Sequence, residues 1–406
     1  MSKRRNKLDP AVARAPAEQP AKGSPHLESR RLDRIRDALL AHFDVHQRAM
    51  PWRQTRDPYS IWVSEVMLQQ TRVETVIPYY QRFISRFESV RALAEAEEAD
   101  VLALWSGLGY YRRARMLHQG ARHVLKEHRG ELPKDPDALL AIPGIGRYTA
   151  GAIASIAFDL REPVLDGNVE RVLTRLDAIH GDPQEKDTRK TLWFIARSFA
   201  DHPRAGTINQ ALMELGATLC TPTSPQCLLC PARADCRANA IGEPSRFPEK
   251  APKKAPRVER WTALVLHDRD AKVWLGPPPA TLDRWKGMLV PLLLRDGESE
   301  PPFVARVLRA SRPLASVTHV LTHARMEIAV RIAALSEPPE ALEGAFVATD
   351  ALDSLAIPKV TRVILDTVGQ RSSSPDKTAS ASARKNASMR ARKGLATKGS
   401  ATSRRT

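Results

Sequence analysis

An all-helical first domain containing a cysteine-rich loop, followed by a smaller α+β domain, is the fold class this sequence predicts. Three observations carry it: apolar residues three and four apart from residue 32 to about 240, a run with proline at every fourth position, and strand-like alternation only beyond that run. At 406 residues the chain exceeds one ordinary core, so two domains plus tails are expected. Hydrophobic residues at 42 % suffice to fold, while 5 % aromatics and 31 prolines against 20 glycines predict local stretches that do not.

Residues 1–31 hold eight Lys/Arg against three Asp/Glu and read as a disordered basic tail. In 32–242 the spacing of Val101, Trp105 and Leu108, and of Leu192, Ile195 and Phe199, is helical. Residues 243–258 read as a linker, since Pro244, Pro248, Pro252 and Pro256 recur among lysines and leave no periodic apolar face. In 259–370, Trp261–Leu266 and Lys272–Leu275 flank the turn signal Asp268-Arg269-Asp270 and predict a hairpin; Met326, Ile328, Val330 and Ile332 alternate as a half-buried strand does. Residues 371–406, with ten Lys/Arg and one Asp, are low-complexity and read as a disordered basic tail.

The tails carry +5 and +9 of the net charge of +17, leaving +3 for the interior. Such tails attract polyanions without sequence preference, which fits nucleic acid, simple solubility or a ribosomal contact. The longest apolar run, Met288 to Leu294, is interrupted by Pro291 and falls short of the ~20 residues of a membrane span. The amino-terminal tail lacks the apolar segment of a secretory signal, and Asp9, Glu18 and Glu28 argue against an organelle transit peptide. A soluble, cytoplasmic, nucleoid-associated protein is the expectation.

All four cysteines fall in the spacing Cys220-x6-Cys227-x2-Cys230-x5-Cys236. Disulfide frameworks spread cysteines to close loops, so this clustering points to a metal site, either tetrahedral zinc or an iron-sulfur cube. Four protein ligands leave no open coordination position, which suits a structural or redox role rather than a hydrolytic one.

The segment Leu139–Phe158 reads as two apolar helices joined by Pro143-Gly144-Ile145-Gly146. Gly144 and Gly146 let backbone approach a phosphate, with helix N–H groups pointing at it; a plain helical corner is the alternative. In Leu165-Asp166-Gly167-Asn168, Asp166 is either a helix cap or a functional acid. Glu65 is a lone carboxylate inside the apolar helix that Asp57-Pro58 starts, and is therefore either paired or raised in pKa and suited to donating a proton.

Six segments occur together: Pro51-Trp52-Arg53, SEVMLQQTRVETVIPYY from Ser64, GLGYYRRAR from Gly107, the glycine hairpin, LDGNVERV from Leu165, and the cysteine spacing. This set resembles the adenine DNA glycosylases of the MutY type, from about residue 32 to 242 and less closely beyond. The resemblance implies a helix-hairpin-helix glycosylase domain, a [4Fe-4S] cluster on Cys220, Cys227, Cys230 and Cys236, and a nucleotide-hydrolase-like second domain that recognises 8-oxoguanine. It implies a monomer acting on duplex DNA that carries adenine opposite 8-oxoguanine or guanine. Glu65 would protonate the leaving adenine; Asp166 would stabilise the cationic sugar or attack it, in the two-carboxylate logic of glycoside hydrolysis. Tyr148 and Asn168 match the residues that support these carboxylates.

Arg53, Leu68 and Gln210 match residues around the flipped adenine, with Trp52 beside them, although Trp52 and Leu68 would be core in any helical domain. Gln70 and Tyr110 match a wedge beside the opposing lesion. Glu214, one turn after Gln210, reads as structural. In the second domain Trp285–Pro291 loosely matches a glycine-rich loop, with Lys286 where glycine is common. Leu321, Thr322 and His323 align with a Phe-Ser-His lesion-reading loop; Leu321 replaces the aromatic and Thr322 keeps a hydroxyl. No acidic Arg-Glu-x-x-Glu-Glu signature follows Gly287, which argues against hydrolysis of free nucleotides. The rival reading, a pyrimidine glycosylase and lyase of the endonuclease III type, needs a lysine where Tyr148 stands, because only an amine forms a Schiff base. A non-catalytic DNA-binding relative is the other alternative, and the retention of both Glu65 and Asp166 argues against it.

Overall fold

The computed structural model describes residues 29–251, 255–282, 284–321, 323–335 and 342–372. Two compact units emerge, one running through Ala255 and including Ala351–Ile357, the other formed by Pro256–Asp350 and the chain from Pro358.

The first unit is helical. Its elements are α1 (Ser29–His46), a 3-10 turn (Pro51–Arg53), α2 (Pro58–Leu68), α3 (Val73–Arg86), α4 (Val90–Glu95), α5 (Glu98–Trp105), α6 (Arg112–Glu127), α7 (Pro136–Ala141), α8 (Arg147–Phe158), α9 (Gly167–Asp177), α10 (Lys186–Ala200), α11 (Ala205–Thr218) and α12 (Arg237–Ile241). The spacings noted above are packing faces: Val101 and Trp105 are fully buried, as are Leu192 and Phe199. Helix α9 is buried from Val169 to Asp177, polar residues included. Its Val169, Val172 and Leu176 share one core with Ile35, Leu39 and Phe43 of α1 and Leu212 and Leu215 of α11. A helix buried on every side must pair each of its charges, which fixes its axis and rotation and so aims its first residues.

Several sequence boundaries move. Arg371 and Ser372, read as tail, close a helix that runs from Lys359 to Ser372, and Arg257 and Val258, read as linker, open a strand that runs from Arg257 to His267. Ser29–Arg31, read as tail, begin α1, because Arg31 is buried and donates to Asp177 Oδ1 (2.5 Å) and to the Leu176 carbonyl (2.6 Å). The segment read as a linker is strapped down as far as Ala251. Phe247 is buried, Glu249 Oε2 accepts the Gly181 N–H at 2.9 Å, and Ala251 N–H donates to Asp182 Oδ2 at 2.8 Å. A 3-10 turn at Pro244–Arg246 precedes the Phe247 anchor, and these hydrogen bonds hold the chain beyond it. Residues 351–357, read as part of the second domain, cluster with the first unit, where Ser106 Oγ donates to the Ile357 carbonyl at 2.7 Å. Positions 1–28 and 373–406 of the predicted tails lie outside the described residues.

The second unit comprises β1 (Arg257–His267), β2 (Val273–Leu275), β3 (Leu292–Arg295), α13 (Pro302–Ala310), β4 (Arg312–Val320), β5 (Ala324–Ala334), β6 (Ala345–Val347) and α14 (Lys359–Ser372). Its sheet runs β4-β5-β1-β2-β6, with β3 also on β1. Strands β1 and β5 pair in parallel, Trp261 opposite Ile328. Met326, Ile328, Val330 and Ile332 are buried as their alternation predicts. The β1–β2 hairpin turns at Asp268, whose Oδ1 accepts the N–H groups of Asp270 and Lys272.

Candidate active site

Asp57 caps α2 by accepting the Ser60 N–H at 2.8 Å, with Pro58 preset at the first helical position. Two turns on, Glu65 is 5 % exposed among apolar neighbours. Its Oε2 accepts the Tyr148 hydroxyl at 2.5 Å. Burial pushes the Glu65 carboxyl up to about 7; the nearby Asp166 charge adds to the rise, while the Tyr148 bond and Arg53 oppose it. The Tyr148 hydroxyl is itself raised well above its ordinary value, first by burial and then by the two carboxylates, so it stays a donor.

Asp166 takes the first of its two sequence readings, the helix cap. It caps α9, Oδ1 accepting the N–H groups of Asn168 (3.0 Å) and Val169 (2.8 Å), while Oδ2 accepts the Asn168 side-chain amide at 3.1 Å. Asn168 Oδ1 in turn accepts from Arg171 Nη2 at 2.9 Å, and Arg171 also reaches the Cys220 and Gly216 carbonyls. Burial raises the Asp166 carboxyl, opposed by these donors.

Helix α11 lines the same site. Gln210 Nε2 donates to the Gly206 carbonyl of its own helix at 3.3 Å. Met213 Sδ stands 3.3 Å from the Tyr148 hydroxyl, a contact the sequence reading missed because a methionine in an apolar run carries no signal of its own. Arg53 donates to Glu214 Oε2 at 2.9 Å and to the Arg48 carbonyl at 3.0 Å. Trp52 is buried edge-on to Tyr80, with ring centroids 5.2 Å apart, so it serves the core. Leu68 ends α2 and is half-buried.

Beyond α2, Gln70 and Tyr110 both hold left-handed backbone, at φ 57° and 50°. Arg113 braces both: it donates to the carbonyls of Val66, Met67, Gln69 and Gly109, and its guanidinium lies 5.5 Å from the Tyr110 ring centroid. Sequence reasoning passed over Arg113 because GLGYYRRAR offers three arginines and no cue as to which one turns inward. The hairpin between α7 and α8 places Gly144 at φ 86°, where a Cβ would stand 2.8 Å from Met116 Cβ; Gly146 caps α8.

The four cysteines line one cavity together with Arg175 and Arg233, and no carboxylate or imidazole lines it. Burial pushes the Cys230 thiol up to about 12, and the other three cysteines add to that. They do not close on a point: among the described residues no three His, Cys, Asp or Glu side chains are grouped as a single metal ion requires. Arg175 ties the loop to α9 through the Thr221 carbonyl (2.7 Å), the Pro222 carbonyl (3.0 Å) and Cys220 Sγ (3.3 Å). In the second unit His323 is exposed in the β4–β5 turn, and Thr322 lies outside the described residues.

Residues 63–197 match the HhH-GPD superfamily base excision DNA repair protein family. An adenine DNA glycosylase of Buchnera aphidicola subsp. Schizaphis graminum is 40 % identical over 238 residues, covering 58 % of this chain and 68 % of that protein. Adenine DNA glycosylases of Rattus norvegicus (49 % over 214 residues) and Arabidopsis thaliana (42 % over 265 residues) match 50 % and 57 % of this chain, which in turn spans 42 % of each of those two longer proteins.

Proposed function

The chain belongs to the adenine DNA glycosylase family, and on that premise we propose that it hydrolyses the N-glycosidic bond of adenine mispaired with 8-oxoguanine or guanine in duplex DNA. The observation that carries the reading is Glu65: a buried carboxyl that is half-protonated near neutral pH and is held by Tyr148 close to a second carboxylate.

Adenine inside a duplex hides its glycosidic bond, so the nucleotide is flipped out, at roughly a few kcal/mol of lost pairing and stacking. The Gly144–Gly146 hairpin holds the distorted backbone at a phosphate, and Gln70 and Tyr110 fill the space left at the mispair. Glu65 gives its proton to the adenine ring as the C1′–N bond breaks and the bonding electrons leave with the base. Asp166 Oδ2 faces the cation that develops on the sugar, stabilising it or adding to it. Water then supplies hydroxide to C1′ and its proton returns to Glu65. Asn168 fixes the Asp166 carboxylate, and Gln210 with Arg53 reads the base edge. In the second unit Thr322 and His323 read the opposing lesion.

Cys220, Cys227, Cys230 and Cys236 would hold a [4Fe-4S] cluster. Four thiols that share one cavity without converging on a single point suit a polynuclear group, which would brace the loop against α9. No helix among the described residues is long and apolar enough to cross a membrane. The proposed setting is a cytoplasmic monomer associated with the nucleoid.

The deciding experiment is base release from a labelled duplex containing adenine opposite 8-oxoguanine, with Glu65→Gln and a thymine-glycol duplex alongside. Free adenine from the native protein and none from the variant supports the reading. Reaction of the thymine-glycol strand alone overturns it.

A further inference from the structure

We propose that Glu214 is a positioning residue that sets the acidity of Glu65 by holding the Arg53 guanidinium away from it. This rests on the acid role given to Glu65 above. Glu214 is 7 % exposed on α11 and accepts four hydrogen bonds: from Arg48 N–H (3.2 Å), Arg48 Nε (2.8 Å), Arg48 Nη2 (3.0 Å) and Arg53 Nη2 (2.9 Å). With the Arg48 carbonyl on Nη1 and the Phe43 ring 5.0 Å from Cζ, Arg53 is fixed on three sides. Its charge still reaches Glu65 and favours the ionised form.

The groups facing this device are few. Glu65 meets Tyr148 of α8, Asp166 at the start of α9, and Arg53. Glu214 meets Arg48 and Arg53, and it lines a small cavity with His42 and His46 of α1. Glu74 of α3 lies 3.8 Å from Arg48 Nη1. Burial would raise the Glu214 carboxyl, but its arginine bonds outweigh that and hold it ionised. A buried arginine freed of its carboxylate seeks the next one, and the candidate already within its field is Glu65. Glu65 would then ionise at lower pH and arrive at the substrate without its proton. An acid poised near neutrality in this site thus depends on a second, ionised carboxylate that neutralises the intervening arginine.

The test is the pH profile of single-turnover adenine release from about pH 5 to about pH 9 for the native chain, Glu214→Gln, Glu214→Asp and Arg48→Gln. Glu214→Gln is expected to move the alkaline limb down by about one unit while keeping the rate on the acidic plateau within about threefold. Glu214→Asp restores the limb, and Arg48→Gln, which leaves Glu214 wholly to Arg53, moves it the other way. A Glu214→Gln profile that drops uniformly with its limb in place overturns the proposal and makes Glu214 structural. Should Glu214→Gln not fold, the upward shift in Arg48→Gln decides the matter alone. Should the native protein release no base, the functional reading has failed. The inference is then read directly from the 13C-carboxyl titration of Glu65 in glutamate-labelled protein, assigned by its loss in Glu65→Gln; an unshifted Glu65 in Glu214→Gln overturns it.

Discussion

Asp166 Oδ1 accepts the backbone N–H of Val169 at 2.8 Å, so the residue proposed to face the sugar cation is also the cap of the most buried helix in the first unit. The cap uses Oδ1 alone, while Oδ2 accepts the Asn168 side-chain amide. The two duties can therefore be separated by substitution. Asp166→Asn keeps a capping oxygen, and its melting temperature is expected to stay close to native, while base release falls by about 10²-fold or more with the loss of charge. Asp166→Ala loses the cap as well, at about 1 kcal/mol. Single-turnover rates and thermal melts on both variants check this; a catalytic loss in Asp166→Ala alone would show that the cap, not the charge, matters.

Glu65 gives a stability prediction with a definite sign. Its folded pKa of about 7 lies above the ordinary 4.5, so the native state binds the proton more tightly than the unfolded chain does. That contribution is fully present below about pH 4.5 and is lost as pH rises to about 7, a change of about 3 kcal/mol. Glu65→Gln removes the titration. Its stability relative to native is expected to grow between about pH 4.5 and 7 and then level off. Denaturant melts across that range measure it, and a constant difference would mean that Glu65 is not desolvated. The same ionisation places the alkaline limb of adenine release near pH 7 in the native protein.

Much of this site is legible in the sequence. Glu65 is the only charge in the apolar run from Pro58 to Leu68, and such a residue has few fates. The glycines of the hairpin and the four-cysteine spacing carry their own geometry. What was hidden depends on contacts between segments far apart in sequence. Glu214 looked structural because nothing local shows that Arg48 and Arg53, more than 160 positions earlier, converge on it. The strap at Phe247 was hidden for the same reason: its anchor is the Arg175 guanidinium, which donates to the Phe247 carbonyl. In the second unit the alternation of β5 gave its buried face, but not its parallel pairing with β1, which periodicity does not encode.

Arg113 is expected to govern the wedge rather than the chemistry. It is half-buried, its pKa is lowered to about 10 by desolvation, and it donates to carbonyls on both sides of the gap between Gln70 and Tyr110. Two non-glycine residues in left-handed backbone need such bracing, since each costs about 1 kcal/mol or more. Arg113→Lys supplies one ammonium where a planar fork served several acceptors, so it does not rescue. We expect about tenfold slower adenine release, with the loss in base extrusion, followed by the fluorescence of 2-aminopurine at the target position. Normal extrusion with slow release would refute this.

The cysteine loop depends on Arg175 as much as on whatever its sulfurs bind. This side chain is 2 % exposed and donates to the carbonyls of Thr221, Pro222 and Phe247, with Nη1 also 3.3 Å from Cys220 Sγ. Those carbonyls belong to the loop and to the strap, so one guanidinium on α9 holds both. Arg175→Met leaves them without a donor, each at about 1–3 kcal/mol, and the expected loss of stability is about 3–5 kcal/mol. Purified Arg175→Met should carry less iron per chain and be cleaved by protease between Cys220 and Ala251 before the helical core is. Arg175→Lys, which satisfies one carbonyl, should fall between. If iron content and protease resistance are native in Arg175→Met, the bound group alone orders the loop and the α9 anchor is dispensable.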